Sequence, residues 1–238
     1  MRRETWTFYL FAGVLLLTSL ACSLPSFGGG SGVEPTPTPP GDSITFTVPA
    51  YTVGLQPGDS VPGTRLQYVG RNGDAFDVVI DGLPAVKRTG DSFIWDGILA
   101  PGVFANYNLR LATVIFGEMR VAGPVKLTIL NPTPVERTDN TPLTAQLGFS
   151  NAVISYYVPV GYGIPGTTAV YQGLRNGSGG QQAEFSGLTN YPYIAAGDSL
   201  IWQGYLRDNF IVAYNLRALS VSEEGVRFAG TAELFILP

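Results

Sequence analysis

An all-β fold is predicted for this chain, on three grounds. Charged residues supply only 13% of its 238 positions, whereas Gly (30) and Pro (18) are plentiful. That balance suits short strands joined by tight turns and disfavours helices, which draw on Glu, Lys and Ala. Apolar and β-branched residues also come in short runs, with Gly, Pro, Asn and Asp clustered between them. Finally, the runs occur twice in one order. A hydrophobic share of 45% is enough to build a packed core from them.

The N-terminus stands apart from this pattern. Met1-Arg2-Arg3 is basic, and Trp6 to Ala21 is apolar almost throughout. At 1.5 Å per residue this run reaches about 24 Å, short of the roughly 30 Å hydrocarbon core. Residues 1–21 therefore read as a signal peptide rather than a membrane span. The run ends at the single cysteine of the chain, in Ser19-Leu20-Ala21-Cys22. This stretch resembles the lipobox of bacterial lipoproteins, where a small residue precedes the cysteine that is lipidated. Ser19 stands where that pattern has a branched apolar residue. The resemblance implies lipidation at Cys22, a membrane partner through the lipid anchor, and an extracytoplasmic location, at the cell surface or in the periplasm. Residues 22–41 follow as a linker with a flexible Gly/Ser half and an extended Pro/Thr half.

Beyond the linker the sequence repeats itself. Gly90-Asp91-Ser92-Phe93-Ile94-Trp95 recurs as Gly197-Asp198-Ser199-Leu200-Ile201-Trp202, and Tyr107-Asn108-Leu109-Arg110 as Tyr214-Asn215-Leu216-Arg217. Arg120-Val121-Ala122-Gly123 and Leu127-Thr128-Ile129-Leu130 return at the same spacing of 107 residues, as Arg227-Phe228-Ala229-Gly230 and Leu234-Phe235-Ile236-Leu237. Upstream, Pro62-Gly63-Thr64 matches Pro165-Gly166-Thr167 at a spacing of 103. Four ordered blocks in constant register mark an internal duplication, with the extra residues of the second copy placed in turns.

The first repeat, 42–131, offers strands at 44–48, 64–69, 75–80, 92–99, 107–113 and 125–131. The second, 143–238, offers them at 144–149, 152–158, 168–173, 182–185, 199–206, 214–220 and 232–237. Residues 132–142, rich in Pro and Thr, read as an interdomain linker. About seven strands in roughly a hundred residues is the size of an immunoglobulin-like sandwich. The expected architecture is thus two tandem Ig-like β-sandwich domains. The alternative is one pseudo-symmetric β-barrel or jelly roll built from both copies. Trp95-Asp96-Gly97-Ile98-Leu99-Ala100-Pro101-Gly102 also resembles an element near the end of Ig-like repeats in bacterial surface proteins. That resemblance implies an Ig-like fold and a cell-surface role.

The repeated residues read as fold-keeping. Trp95 and Trp202 share a strand face with apolar neighbours and are expected in the core. Asp91 and Asp198 follow glycine just before a strand, as turn residues do. Asn108 and Arg110, like Asn215 and Arg217, point away from the face of Tyr107 and Tyr214. A sharper reading makes these Asn/Arg pairs a twice-used binding surface.

Several functions are excluded on composition. No run of Lys or Arg occurs and the formal net charge is −4, so nucleic acid is not an expected partner. The chain has no histidine, the commonest general base and metal ligand. With one cysteine, no intrachain disulfide or thiolate cage can form. No nucleophile elbow, phosphate loop or calcium loop is present. The expectation is a protein that is not an enzyme, with no catalytic residue, metal or cofactor. It would act as a binding or adhesion module for an envelope protein or a glycan, or alternatively as a structural spacer or scaffold. A glycoside-active enzyme working through paired carboxylates is the remaining alternative. The copies differ most in tyrosine: Tyr51, Tyr68 and Tyr107 in the first, eight in the second. Tyr162, Tyr191 and Tyr193 fall in expected loops and Tyr157 beside them on a two-faced strand. These four are the candidate ligand-binding residues.

Overall fold

The computed structural model describes residues 43–115, 118–139, 141–177 and 180–238. All of them fall within one compact unit, residues 35–238. The signal peptide, Cys22 and the 22–41 linker lie outside the described residues.

The described chain is all strand and turn, without a helix. The first half forms β1 (Ser43–Leu55), β2 (Leu66–Asn72), β3 (Ala75–Ile80), β4 (Leu83–Lys87), β5 (Ser92–Ala100), β6 (Val103–Ile115) and β7 (Glu118–Leu130). The short β8 (Val135–Glu136) follows. The second half forms β9 (Leu147–Pro159), β10 (Val170–Gly177), β11 (Gly180–Ser186), β12 (Tyr193–Ala195), β13 (Ser199–Arg207), β14 (Phe210–Val221) and β15 (Gly225–Ile236). Every pairing is antiparallel. In the first half the orders are β1-β7-β6-β5 and β2-β3-β4; in the second they are β9-β15-β14-β13 and β10-β11-β12, with β8 added beyond β13. The two halves thus repeat one pairing scheme, in open sheets rather than a closed barrel.

That scheme differs from the expected immunoglobulin order, in which strands 1-2-5-4 face 3-6-7. The reason lies in the turns. Asn72 pairs with Ala75, Ile80 with Leu83, and Ala100 with Val103. Each of these pairs closes a two-residue loop, and such a loop can only join neighbouring antiparallel strands. Asp81 and Gly82 both adopt positive φ, 51° and 85°, as a type I′ hairpin requires. Strands β2-β3-β4 and β5-β6-β7 are thereby tied into meanders.

The stretch expected to be a free linker is also built in. Val135 pairs with Tyr205 and Glu136 with Gly204, while the Thr133 N–H donates to Leu206 O at 2.8 Å. Prolines 132 and 134 are compatible with this because β8 lies at a sheet edge, where the missing N–H is tolerated.

One hydrophobic core runs through both halves. At the seam, Phe46 of β1 lies 6.1 Å from Tyr214 and 6.4 Å from Phe210, ring centre to ring centre. Reciprocally, Phe149 of β9 lies 6.2 Å from Tyr107 and 5.6 Å from Tyr51. The same exchange recurs where a Cβ on Gly63 would meet Leu147 and one on Gly166 would meet Ile44. Each half therefore inserts its first strand against the other in one pseudo-symmetric arrangement.

Within each half the repeated residues make repeated contacts. The Tyr107 hydroxyl donates to Pro62 O at 3.1 Å, and that of Tyr214 to Pro165 O at 3.0 Å. The Asp91 carboxylate accepts the Arg88 N–H, and that of Asp198 the Ala195 N–H, both at 2.8 Å. Gly123 and Gly230 sit where a Cβ would come within 2.2 Å of Asn108 O and 2.1 Å of Asn215 O. Trp95 and Trp202 are buried, and each lies over a glycine two residues on, Gly97 and Gly204. Asn108, Arg110, Asn215 and Arg217 are exposed, and Arg110 reaches Gly90 O at 3.3 Å.

Candidate functional site

Among the described residues, the strongest concentration of exposed aromatic surface lies on the second half, where β11 connects to β12. In the first half the equivalent connection is the two-residue turn Asp81-Gly82. In the second it spans residues 187–192 and carries Tyr191, 68% exposed. The neighbouring Tyr193 opens β12. Its strand partner is Glu184, also on the outer face, because Ala183, Phe185 and Ile194 point inward.

Three side chains stack here. The Tyr191 and Tyr193 rings meet edge to face, 5.2 Å apart at 81°. The Arg175 guanidinium on β10 lies 3.9 Å from the centre of the Tyr193 ring, within the range of a cation–π contact. Beside the rings runs a groove of about 370 Å³, lined by Leu188, Asn190, Tyr191, Tyr193, Ile194, Asp198, Ser199, Leu200 and Ile201. Its size is at the lower end of small-ligand sites, and it mixes apolar walls with a few polar groups in the usual manner.

The loop bearing Tyr191 is fixed from outside the sheet that it serves. The Glu136 carboxylate of β8 accepts the Thr189 hydroxyl at 2.8 Å and the Thr189 N–H at 3.1 Å. The segment between the repeats thus holds the loop through two charge-assisted hydrogen bonds.

The other two candidate tyrosines are elsewhere. Tyr162 is half-exposed in the turn after β9, where its N–H donates to Pro159 O at 3.1 Å and its carbonyl accepts from Tyr171. Tyr157 lies on β9 with the Arg227 guanidinium 5.3 Å from its ring centre, and the missing side chain of Gly225 leaves room for that ring. Neither lines the groove. Arg175, Leu188 and Ile201 do belong to this region and were not among the residues picked from sequence. In the first half Arg71, on the equivalent strand, donates to Gly73 O instead, with no aromatic ring to stack on.

No protein-family model, no curated protein and no solved structure matches the chain.

Among the described residues no three His, Cys, Asp or Glu side chains gather to hold a metal ion. The strongly shifted tyrosines lie in the core. Burial raises Tyr107 and Tyr214 well above the usual phenol range, with a smaller contribution from Tyr51 and Tyr156 respectively.

Proposed function

We propose that this chain is an exported lipoprotein, anchored through Cys22, whose folded part is a non-catalytic binding or adhesion module. On this reading the two halves are copies of one β-sandwich module, and their common pairing scheme supports it. The second copy carries the ligand site at Tyr191, Tyr193 and Arg175. The observation that carries the proposal is the T-shaped pair of exposed Tyr191 and half-buried Tyr193, backed by Arg175 beside a groove with Asn190, Asp198 and Ser199. Rigid rings supply contact area at little entropic cost, and adjacent polar groups orient what lies on them. A sugar ring, apolar on its face and polar at its rim, fits that combination, so a glycan is the favoured ligand and an envelope protein the second.

A glycan array, with a crosslinking pull-down on intact cells, tests the site. Specific retention that falls by at least about tenfold in Tyr191→Ala, and is unchanged in Tyr162→Ala, supports it. Equal binding by wild type and Tyr191→Ala would dispose of it. Fractionation tests the anchor: Cys22→Ala is expected to leave washed membranes, whereas continued sedimentation with them would refute lipidation.

A further inference from the structure

The equivalent edges of the two large sheets are finished differently. In the second half β8 pairs beyond β13, and the Arg137 N–H donates to Gln203 O at 2.8 Å. The carbonyl of Gln203 is thus spent on the added segment. In the first half the corresponding edge is β5, whose one partner among the described strands is β6. The counterparts of Ile201, Gln203 and Tyr205 are Ile94, Asp96 and Ile98, so these three turn their N–H and C=O groups to an edge that no described strand pairs with. An uncovered strand edge of this length is a template for another chain.

The face beside that edge differs in the same way. In the second half Ile211 points away from the core and is nonetheless fully buried, and the Arg137 side chain is only 6% exposed. β8 and β9 lie at opposite edges of this sheet. In the first half the counterpart of Ile211, Phe104, is 40% exposed, and Ile98 is 61% exposed. Where the second half holds Arg137, the first has a cleft of about 240 Å³ lined by Asp96, Gly97, Phe104, Asn106, Lys126 and Thr128, among others. Asp96 replaces Gln203 at the rim of this cleft, and Lys126 replaces Glu233 further in.

We propose that the β5 edge and this cleft form a strand-addition site for an extended segment of a partner protein. In that segment an apolar residue is followed two positions later by a basic one and then by an acidic one. Val135-Glu136-Arg137-Thr138-Asp139 shows the docking mode on β13: Val135 lies beside Tyr205, Arg137 lies inward, and Asp139 pairs with Arg137. On β5 the apolar residue would cover Ile98 and Phe104, the basic one would meet the Asp96 carboxylate, and the acidic one would meet Lys126. Main-chain hydrogen bonds supply affinity in such additions, and the alternate side chains supply specificity. The negative charge gained at Asp96 and the reversal from Glu233 to Lys126 make this pattern the complementary one.

The probe is a fluorescent peptide of sequence NPTPVERTDN, titrated into the full chain in detergent micelles, with hydrogen exchange read along β5. Saturable binding with slowed exchange at Ser92–Ile98 is expected. Affinity should fall by about tenfold in Asp96→Lys, or when the peptide arginine becomes glutamate. Asp96→Asn, a milder change, keeps the result readable if Asp96→Lys disturbs folding, and it too should weaken binding. No saturable binding at millimolar peptide, protection on β13 instead of β5, or equal affinity for the glutamate peptide would each overturn the proposal. Dimerisation of the chain without peptide that Asp96→Lys abolishes would assign the edge to a second copy, and would also overturn it.

Discussion

In the first half of the molecule the turn between β3 and β4 is Asp81-Gly82, and the Asp81 carboxylate accepts the Trp95 indole N–H at 3.2 Å. In the second half the same connection is longer, carries Tyr191, and leaves the Trp202 indole N–H to the Thr168 hydroxyl, also at 3.2 Å. Both tryptophans are therefore satisfied, by different partners. A buried indole needs some acceptor, but which one is open to change. With Thr168 as acceptor, the Trp202 indole does not depend on a residue of the β11–β12 loop. The comparison suggests a division of labour: inward residues that agree between the halves hold the sheets, and loop and edge residues that differ give each half its own surface.

The sharpest way to break that division is to truncate the shared core. Trp95→Ala and Trp202→Ala should each cost about 3–5 kcal/mol, seen as a fall in the urea midpoint. A cost below about 1 kcal/mol at either position would deny them a core role. Because Phe46 and Phe149 cross the seam, the loss should appear as one unfolding transition for both halves. Two separated transitions would instead show halves that unfold independently.

The paired glycines come next. Gly123→Ala and Gly230→Ala each drive a methyl group into a backbone carbonyl, and overpacking of this kind costs about 1–3 kcal/mol. Similar losses in the two variants would sharpen the equivalence of the halves, and a loss in only one would break it.

Alkali offers a third test. Burial raises Tyr51 and Tyr107 in the first half, and Tyr156 and Tyr214 in the second. Below pH ~10 these phenols are neutral in both folded and unfolded chains. Above it the unfolded chain loses protons that the folded chain keeps, so stability falls as pH rises. Each tyrosine contributes up to about 1.4 kcal/mol per pH unit. With no histidine in the chain, little change is expected between pH 6 and 9. Urea midpoints across pH 6–11 check this, and a midpoint that stays level to pH 11 would contradict the burial of these hydroxyls. The smallest effect is expected at the turns: Asp91→Ala and Asp198→Ala should cost about 1 kcal/mol each.

Much of this organisation was legible in the sequence. The tryptophans, the turn aspartates and the outward Asn/Arg pairs could be placed because strand alternation dictates which side faces the core. Strand order could not be read from periodicity, which is blind to which strands are neighbours. The clues that decide it, Gly73-Asp74 and Asp81-Gly82, were short turns whose consequence is a meander. β8 was hidden because Pro132 and Pro134 read as linker, and β4 because Pro84 interrupts it; both lie at sheet edges. The site was half visible. Tyrosine enrichment pointed to Tyr191 and Tyr193, but it pointed equally to Tyr157 and Tyr162. Arg175 and Ile201 join the region only through the antiparallel pairing that brings β10 beside β11 and the packing that sets β12 near β13.

The division of labour is tested most directly by the double variant Tyr191→Ala/Tyr193→Ala, with unfolding and ligand retention measured on one preparation. The account predicts an unfolding free energy within about 0.5 kcal/mol of wild type, as for exposed positions, together with loss of glycan or envelope-protein retention. A variant that still retains its ligand, or one that loses it only by losing the fold, would contradict the claim that function resides where the two halves diverge.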